Sequence, residues 1–235
     1  MSGVELSLVL PCYNEVEHLS DAVSDYLMEL GEFFDCNGFE LIIVEGGCVD
    51  GTTEKSRFLS NKFDSVRHLH FDDRQGRGLA VTKGFELAEG DIYAYSDVDH
   101  GNRPDNLIKL VKRLDKEGEL VVGSRVCPES DFERKRLRGF LSSYYNRLAR
   151  LVLGSCVSDH QCGLKVFDSK VFDELVDEVS SRHWAWDTEI LYKAQLEKFD
   201  VIEVPISGVE NTDSTVKPID PLIMSLNLVW LKLMS

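Results

Sequence analysis

Short, continuous apolar runs alternate with stretches of helical periodicity through the first half of this 235-residue chain. Leu6–Leu10 is an apolar run closed by Pro11, and Phe39–Val44, Val66–Phe71, Ile92–Ser96 and Glu119–Gly123 read as further buried strands. Between the first two, Val16, Leu19, Val23, Tyr26, Leu27 and Leu30 recur at helical spacing, with Gly31 as a stop. The polar turn Glu45–Thr52 opens a second helix, and Gly78–Glu89 is helical up to Gly90. Pro104 starts a helix with Leu107, Leu110, Val111 and Leu114 on one face, stopped by Gly118. This alternation over about 125 residues predicts an α/β fold: a parallel, doubly wound sheet with right-handed crossovers.

The second half has a different rhythm. Leu137–Leu153 reads as a long helix, Gly163–Phe167 as a strand, Trp186–Phe199 as a helix and Val201–Ile206 as a strand. A polar stretch, Ser207–Lys217, precedes the apolar helix Leu222–Met234. No internal repeat or Pro/Gly-rich linker interrupts the chain, so 1–235 is expected to form a single domain whose second half completes the sheet.

Charge narrows the choice of partners. With 26 basic against 41 acidic residues, the formal net charge of −15 argues against nucleic acid and against a generally basic, membrane-adhering surface. The acidic excess fits either a high-salt cytoplasm or an ordinary acidic protein. The six cysteines form no C-x-x-C pair and read as free thiols of a reducing cytosol. Cys156, His160 and Cys162 lie close together, but their spacing fits no common zinc pattern, and buried structural thiols are the reading preferred. No leader is expected, since the apolar start is short and lacks a basic segment. No run reaches the roughly 18 apolar residues of a membrane span. The C-terminal apolar segment suits a packed helix or one lying on a membrane surface.

Candidate chemistry concentrates where strands end. Asp97-Val98-Asp99 places two carboxylates one residue apart at the end of the Ile92–Ser96 strand. Strand ends of open α/β sheets are where ligands bind, and paired acidic oxygens suit a hard divalent cation shared with substrate phosphates. Alone, such a pair is more often a solvated turn. Three further turns follow strands: Pro11-Cys-Tyr-Asn-Glu15, Glu45 to Asp50, and Arg74-Gln-Gly-Arg-Gly78.

Together, in this order, the four turns resemble glycosyltransferase family 2, the inverting enzymes of GT-A fold. The resemblance runs on through Val121-Val-Gly-Ser-Arg125, a G-S-R strand end. Arg138, Ser142, Asn146 and Arg150 match the helix of the polyprenyl-phosphate branch, that of dolichyl-phosphate mannose synthase. Asp159-His-Gln-Cys-Gly163 is similar to its D-x-x-[CS]-G turn, and Asp187-Thr-Glu189 to its D-x-E helix start. The resemblance implies a Rossmann-like GT-A domain, a mostly parallel sheet flanked by helices, with a nucleotide-sugar half over about 1–125 and an acceptor half over about 126–235. It implies transfer of a hexose, with inversion, from GDP-mannose or a UDP-hexose to polyprenyl (dolichyl) phosphate at the cytoplasmic membrane face. Mg²⁺ or Mn²⁺ would be the cofactor, and a membrane-protein partner or a second copy of the chain is a further expectation. Two alternatives stay open: the same donor with a sugar hydroxyl as acceptor, and a non-catalytic nucleotide-sugar binder that regulates a partner.

The same resemblance assigns roles. Asp97 and Asp99 would hold the metal and the diphosphate, with Asp99 the more direct ligand. Pro11, Tyr13, Glu15, Glu45, Asp50 and Arg77 would line the donor site. Arg125, Arg138 and Ser142 would take the acceptor phosphate; Arg138 and Ser142 are four apart and share a helix face. Asp99, Asp187 and Arg125 are the catalytic candidates. A phosphate monoester carries about −1.5 to −2 charge at pH 7 and attacks without a general base. A hydroxyl acceptor would need one, with Asp187 or Glu189 in that role and Asp159 behind them. Simpler readings stand beside these: Glu15 and Asp50 as cap or turn carboxylates, Asp187 as a helix N-cap, and Arg77 or the basic helix as solvated surface.

Three positions depart from the family pattern. The paired aspartates after the second strand appear as Glu45-Gly46, and glycine cannot help read a base. A glutamine that assists the metal is replaced by Gly101, followed by Asn102. The asparagine before the glycine turn is replaced by Arg74 or Gln75.

Overall fold

Every apolar run read as a strand is a strand in the computed structural model, which describes residues 3–35, 37–98, 103–117, 119–133, 136–209 and 220–234. The order is β1 (Leu6–Cys12), α1 (Leu19–Phe33), β2 (Phe39–Gly46), α2 (Thr52–Lys62), β3 (Val66–Phe71), α3 (Arg77–Phe85), β4 (Ile92–Ser96), α4 (Pro104–Glu117) and β5 (Leu120–Ser124). There follow β6 (Asp131–Glu133), α5 (Arg136–Leu153), β7 (Leu164–Asp168), α6 (Ser169–Leu175), α7 (Trp186–Leu196), β8 (Val201–Pro205), β9 (Ser207–Val209) and α8 (Asp220–Met234).

The main sheet runs β3-β2-β1-β4-β7-β5-β8. All neighbours are parallel except β7, which lies antiparallel between β4 and β5. The sheet is mostly parallel, as the family resemblance implies, and the second half of the chain completes it through β7 and β8. The strand order reverses between β1 and β4, and the carboxyl ends of strands at such a switch point frame a ligand crevice. Both the Pro11–Glu15 turn and Asp97 sit there.

The strands read as unbroken apolar runs because helices cover both faces. On one face Leu6, Leu8, Leu10, Leu41 and Ile43 pack with Leu19, Val23, Leu107 and Leu110. On the other, Val9, Ile42, Val44, Tyr93 and Tyr95 pack with Val81, Phe85, Trp186 and Ile190. A separate cluster joins α5 to α8 through Tyr145, Ala149, Leu153, Leu228 and Leu231, with Tyr192 of α7. Beside it, Phe140, Tyr144 and Leu151 of α5 and Leu226, Val229, Trp230 and Leu233 of α8 stay exposed.

Two small elements differ from the sequence reading. β6 and β9 form a separate parallel pair, its second strand falling at the start of the stretch read as polar loop. At three residues each they are too short for a periodic signal. α6 follows β7 directly, capped where the Asp168 carboxylate accepts from the Lys170 amide at 2.9 Å. The α7 helix stops at Leu196 rather than Phe199, where Lys198 takes a positive φ of 68°.

Candidate active site

The switch-point crevice is held together by an ionic cluster. Asp97 follows β4, Arg77 opens α3, and Asp187 lies in the first turn of α7. Arg77 Nη1 donates to both Asp97 oxygens at 2.9 Å, while Nη2 pairs with Asp187 Oδ2. The guanidinium carbon also stands 4.5 Å from the Trp184 ring centroid. Behind it, Lys165 of β7 is fully buried. Its ammonium donates to Asp187 Oδ1 at 2.6 Å, the Tyr95 hydroxyl at 3.0 Å and the Cys162 carbonyl at 2.8 Å. The Tyr95 hydroxyl donates in turn to Asp187. Asp187 thus faces two cations. Burial alone would raise its carboxyl pKa, but the charges of Arg77 and Lys165 outweigh it and hold the value below the ordinary one. For Arg77, burial opposes the charge, yet Asp187 and Asp97 keep the guanidinium firmly protonated.

Asp187 is therefore not the N-cap of its helix: α7 starts at Trp186, and Ala185 makes no side-chain cap. Glu189 binds the preceding loop, accepting from the Ser180 amide and hydroxyl at 3.1 Å and the Ser181 amide at 2.8 Å. The glycines of the Arg74–Gly78 turn also have a structural duty. A Cβ on Gly76 would overlap His183, and one on Gly78 would overlap Trp186, so this turn lies against the loop leading into α7.

Around Glu15 and Asp50, two turns are zipped together. Asp50 Oδ2 accepts from the Val16 amide at 3.1 Å, and its Oδ1 accepts from the Thr52 amide and hydroxyl at 3.0 and 2.7 Å. Slight burial would raise the Asp50 pKa, and these hydrogen bonds lower it. Thr52 Oγ1 accepts from the Glu15 amide at 2.8 Å. Asn14, at a φ of 56°, accepts from the Val49 amide at 2.9 Å. Pro11 pairs with Val44 in the last part of β1, and the Arg74 guanidinium lies 3.9 Å over the Tyr13 ring. Glu45 is buried and engaged by His68, His70 and Thr53.

The Gly46 departure has a steric cause. A Cβ there would stand 2.6 Å from the Asp73 carbonyl oxygen and 2.9 Å from Phe71 Cβ. Installing the family's aspartate by Gly46→Asp is expected to destabilise the fold by about 1–3 kcal/mol, as overpacking against backbone does. Urea unfolding checks this; an unchanged midpoint would refute it.

Beyond β5, Arg125 is locked to Asp159. Its Nε and Nη2 donate to the two carboxylate oxygens at 2.7 and 2.8 Å, and its amide donates to Oδ2 at 3.0 Å. The Asp159 amide donates to Glu203 at 3.0 Å, and Asn146 of α5 reaches Asp159 at 3.5 Å. One turn before Asn146, the buried Ser142 hydroxyl oxygen has no partner among the described residues. The Ser124 hydroxyl, next to Arg125, is in the same condition. Arg138 is described only as α5 backbone, and Asp99, Gly101 and Asn102 lie outside the described residues. His160 is buried and bonded to Asn146 and Ser155; Cys162 is buried, as the reading of structural thiols expects, whereas Cys156 is exposed and departs from it.

The sequence reading thus found Arg77, Asp97, Arg125, Asp159 and Asp187, which the structure joins into two ionic clusters. It missed Lys165 and Tyr95. The lysine stands inside an apolar strand, Leu-Lys-Val-Phe, and that interruption was the available signal.

Comparison with known proteins agrees with this layout. The family model described as Glycosyl transferase family 2 matches residues 7–176. Glycosyltransferase AglD of Haloferax volcanii is 41% identical over 216 residues, which is 92% of this chain but 35% of that protein. The dolichyl-phosphate beta-glucosyltransferase of Saccharomyces cerevisiae is 26% identical over 97% of this chain and 74% of its own length. The chain thus spans about a third of AglD and about three quarters of the yeast protein. The crystal structure of glucosyl-3-phosphoglycerate synthase from Mycobacterium tuberculosis with UDP superimposes at a TM-score of 0.70. It shares 20% identity and covers 99% of this chain and 80% of that one, a likeness of fold. With the family model spanning β1 to the end of α6 and Asp97 at the switch point, the chain belongs to glycosyltransferase family 2.

Proposed function

We propose that this chain transfers glucose from UDP-glucose to dolichyl phosphate at a membrane surface. The observation that carries the acceptor class is the engagement of the carboxylates. A hydroxyl acceptor needs a general base. Among the described residues, Asp187 and Asp159 are tied into ion pairs, and Glu189 accepts three hydrogen bonds. A phosphate acceptor already carries its charge and needs no base. The glucosyl and dolichyl identities rest on the dolichyl-phosphate beta-glucosyltransferases, which match over 92–97% of this chain, well beyond the end of the family model.

The residues fit a hard divalent cation. Asp97 offers oxygen donors at the end of β4, and with Asp99 it would hold Mg²⁺ or Mn²⁺. The solved relatives contain Mn²⁺ or Mg²⁺ with UDP. The bound ion would supply charge neutralisation for the departing diphosphate. Arg77 contributes a second cation at the same place once Asp97 turns to its ligand, and Asp187 keeps it oriented. Lys165, through Asp187, holds that carboxylate in place. The unpartnered hydroxyls of Ser142 and Ser124 would donate to the acceptor phosphate. Arg125, braced by Asp159, adds positive charge there.

No helix among the described residues is long and apolar enough to cross a membrane. The exposed apolar residues of α5 and α8 offer instead a face that can lie on lipid, and α5 also carries Ser142, the acceptor-phosphate candidate. The test is a radiolabelled transfer assay with Mn²⁺ and short-chain dolichyl phosphate, comparing UDP-glucose with GDP-mannose. A lipid-soluble product from UDP-glucose, abolished by a chelator, is expected. Ser142→Ala should raise KM for the lipid phosphate about tenfold, the loss of one hydrogen bond to a charged group. Product from GDP-mannose alone would refute the donor, and UDP-glucose hydrolysis without lipid product would refute the acceptor.

A further inference from the structure

β3 is an edge strand, and its residues His68 and His70, two apart, point to the same side. Both reach the neighbouring strand at one atom. His68 Nε2 lies 3.0 Å and His70 Nδ1 2.6 Å from Glu45 Oε1. All three ligand atoms lie within 4.8 Å of one another. From this geometry we propose that Glu45, His68 and His70 form a binding site for a transition-metal ion, Zn²⁺ foremost, distinct from the Asp97 carboxylate.

The donor set is two imidazoles and a carboxylate, which suits zinc and its neighbours and is poorly matched to Mg²⁺. The Cys48 thiol, hydrogen-bonded to the same carboxylate, adds a soft donor alongside. A tetrahedral zinc with bonds of about 2.0 Å sets its donors about 3.3 Å apart. The two glutamate–histidine separations, 3.0 and 2.6 Å, would open by about 0.3 and about 0.7 Å to reach that span. Outer contacts that orient metal ligands are also in place. Thr53 Oγ1 donates to the other Glu45 oxygen at 2.9 Å, fixing the carboxylate. His70 Nε2 lies 3.7 Å from Asp72 Oδ1, beyond a hydrogen bond, and a small turn of the exposed carboxylate would make the carboxylate–histidine contact of many zinc sites. On binding, each imidazole would present a lone pair to the ion. The N–H that now points at Glu45 would move to the other ring nitrogen. For His70 that nitrogen is the one beside Asp72. An entry path exists, because the His70 side chain is 40% exposed while that of Glu45 is fully buried.

This site needs no assumption about donor or acceptor sugar. The full chain, stripped with chelator, would be titrated with Zn²⁺ alone by calorimetry, with millimolar Mg²⁺ present throughout. One Zn²⁺ per chain is expected, undisturbed by Mg²⁺. His70→Ala should abolish that binding, and Asp97→Asn should leave it intact. Asp72→Asn, at a fully exposed position, should weaken it about tenfold without touching the fold. Absence of binding, binding retained in His70→Ala, or an affinity indifferent to Asp72→Asn would each overturn the proposal. The cluster would then be only a hydrogen-bonded lock on Glu45.

Discussion

Asp187→Asn is expected to cost about 3–5 kcal/mol of folding stability, the usual effect of removing one partner from a buried ion pair. The side chains of Asp187 and Lys165 are within 1% of full burial, and Arg77 is only 12% exposed. Asparagine fits the space but leaves two cations facing a neutral amide. Urea unfolding at neutral pH measures the difference, and a loss below about 1 kcal/mol would contradict the account. Adding Lys165→Met should restore part of the loss, because the uncompensated ammonium is then gone. The pH dependence has a definite sign. The folded pKa of Asp187 is depressed, so its contribution is present above the unfolded value of about 3.9. It is lost as pH falls through the folded value. The gap between wild type and Asp187→Asn should therefore hold from neutral pH to about 4 and shrink only below it. His160 adds a slope common to both proteins. Burial pushes it down to about 4, so acidification from about 6.5 towards that value destabilises both alike.

Gly163→Ala should leave the fold largely intact and still reduce transfer about a hundredfold. A Cβ at Gly163 would overlap the Asp97 carboxylate. The overlapping atoms are the end of a side chain, which can swing away at small cost. The Asp97 amide is meanwhile held by the Gly163 carbonyl at 3.0 Å, so the backbone stays and the carboxylate yields. Arg77 then loses its partner carboxylate, and a metal held by Asp97, as proposed above, would lose a correctly placed oxygen. A displacement of about 1 Å in such a group commonly costs about a hundredfold in rate. Transfer assays beside urea curves separate the two quantities. Full activity would show that Asp97 tolerates the shift, and collapse of the fold would show that the strand end cannot relax.

Much of this was readable in the chain before any coordinates. Strands such as Phe39–Val44 announce themselves because burial on both faces leaves no polar alternation. The four strand-end turns carry their chemistry in local residue types. What stayed hidden is what distance in sequence conceals. Lys165 looks like a break in an apolar strand until Asp187, 22 residues on, is brought against it. Asp187 itself reads equally well as a base, a cap or an ion-pair partner, and only its neighbours decide. The glycines at 76 and 78 suggest room for a phosphate, whereas here they make room for His183 and Trp186. His68 and His70 are visibly on one side of a strand. Their shared partner on β2 is not visible, since strand register is a tertiary fact.

The antiparallel placement of β7 governs the order in which the chain can become a protein. β1 to β4 can pair as they leave the ribosome, because each finds its neighbour among strands already made. β5 cannot. Its two neighbours, β7 and β8, are synthesised only after it, and until then β4 and β5 both present open edges. Unpaired edges are the surfaces through which chains aggregate, so the nascent protein carries its greatest hazard between residues 124 and 164. That interval contains α5, whose Tyr145, Ala149 and Leu153 would meet lipid or a chaperone before they ever meet α8.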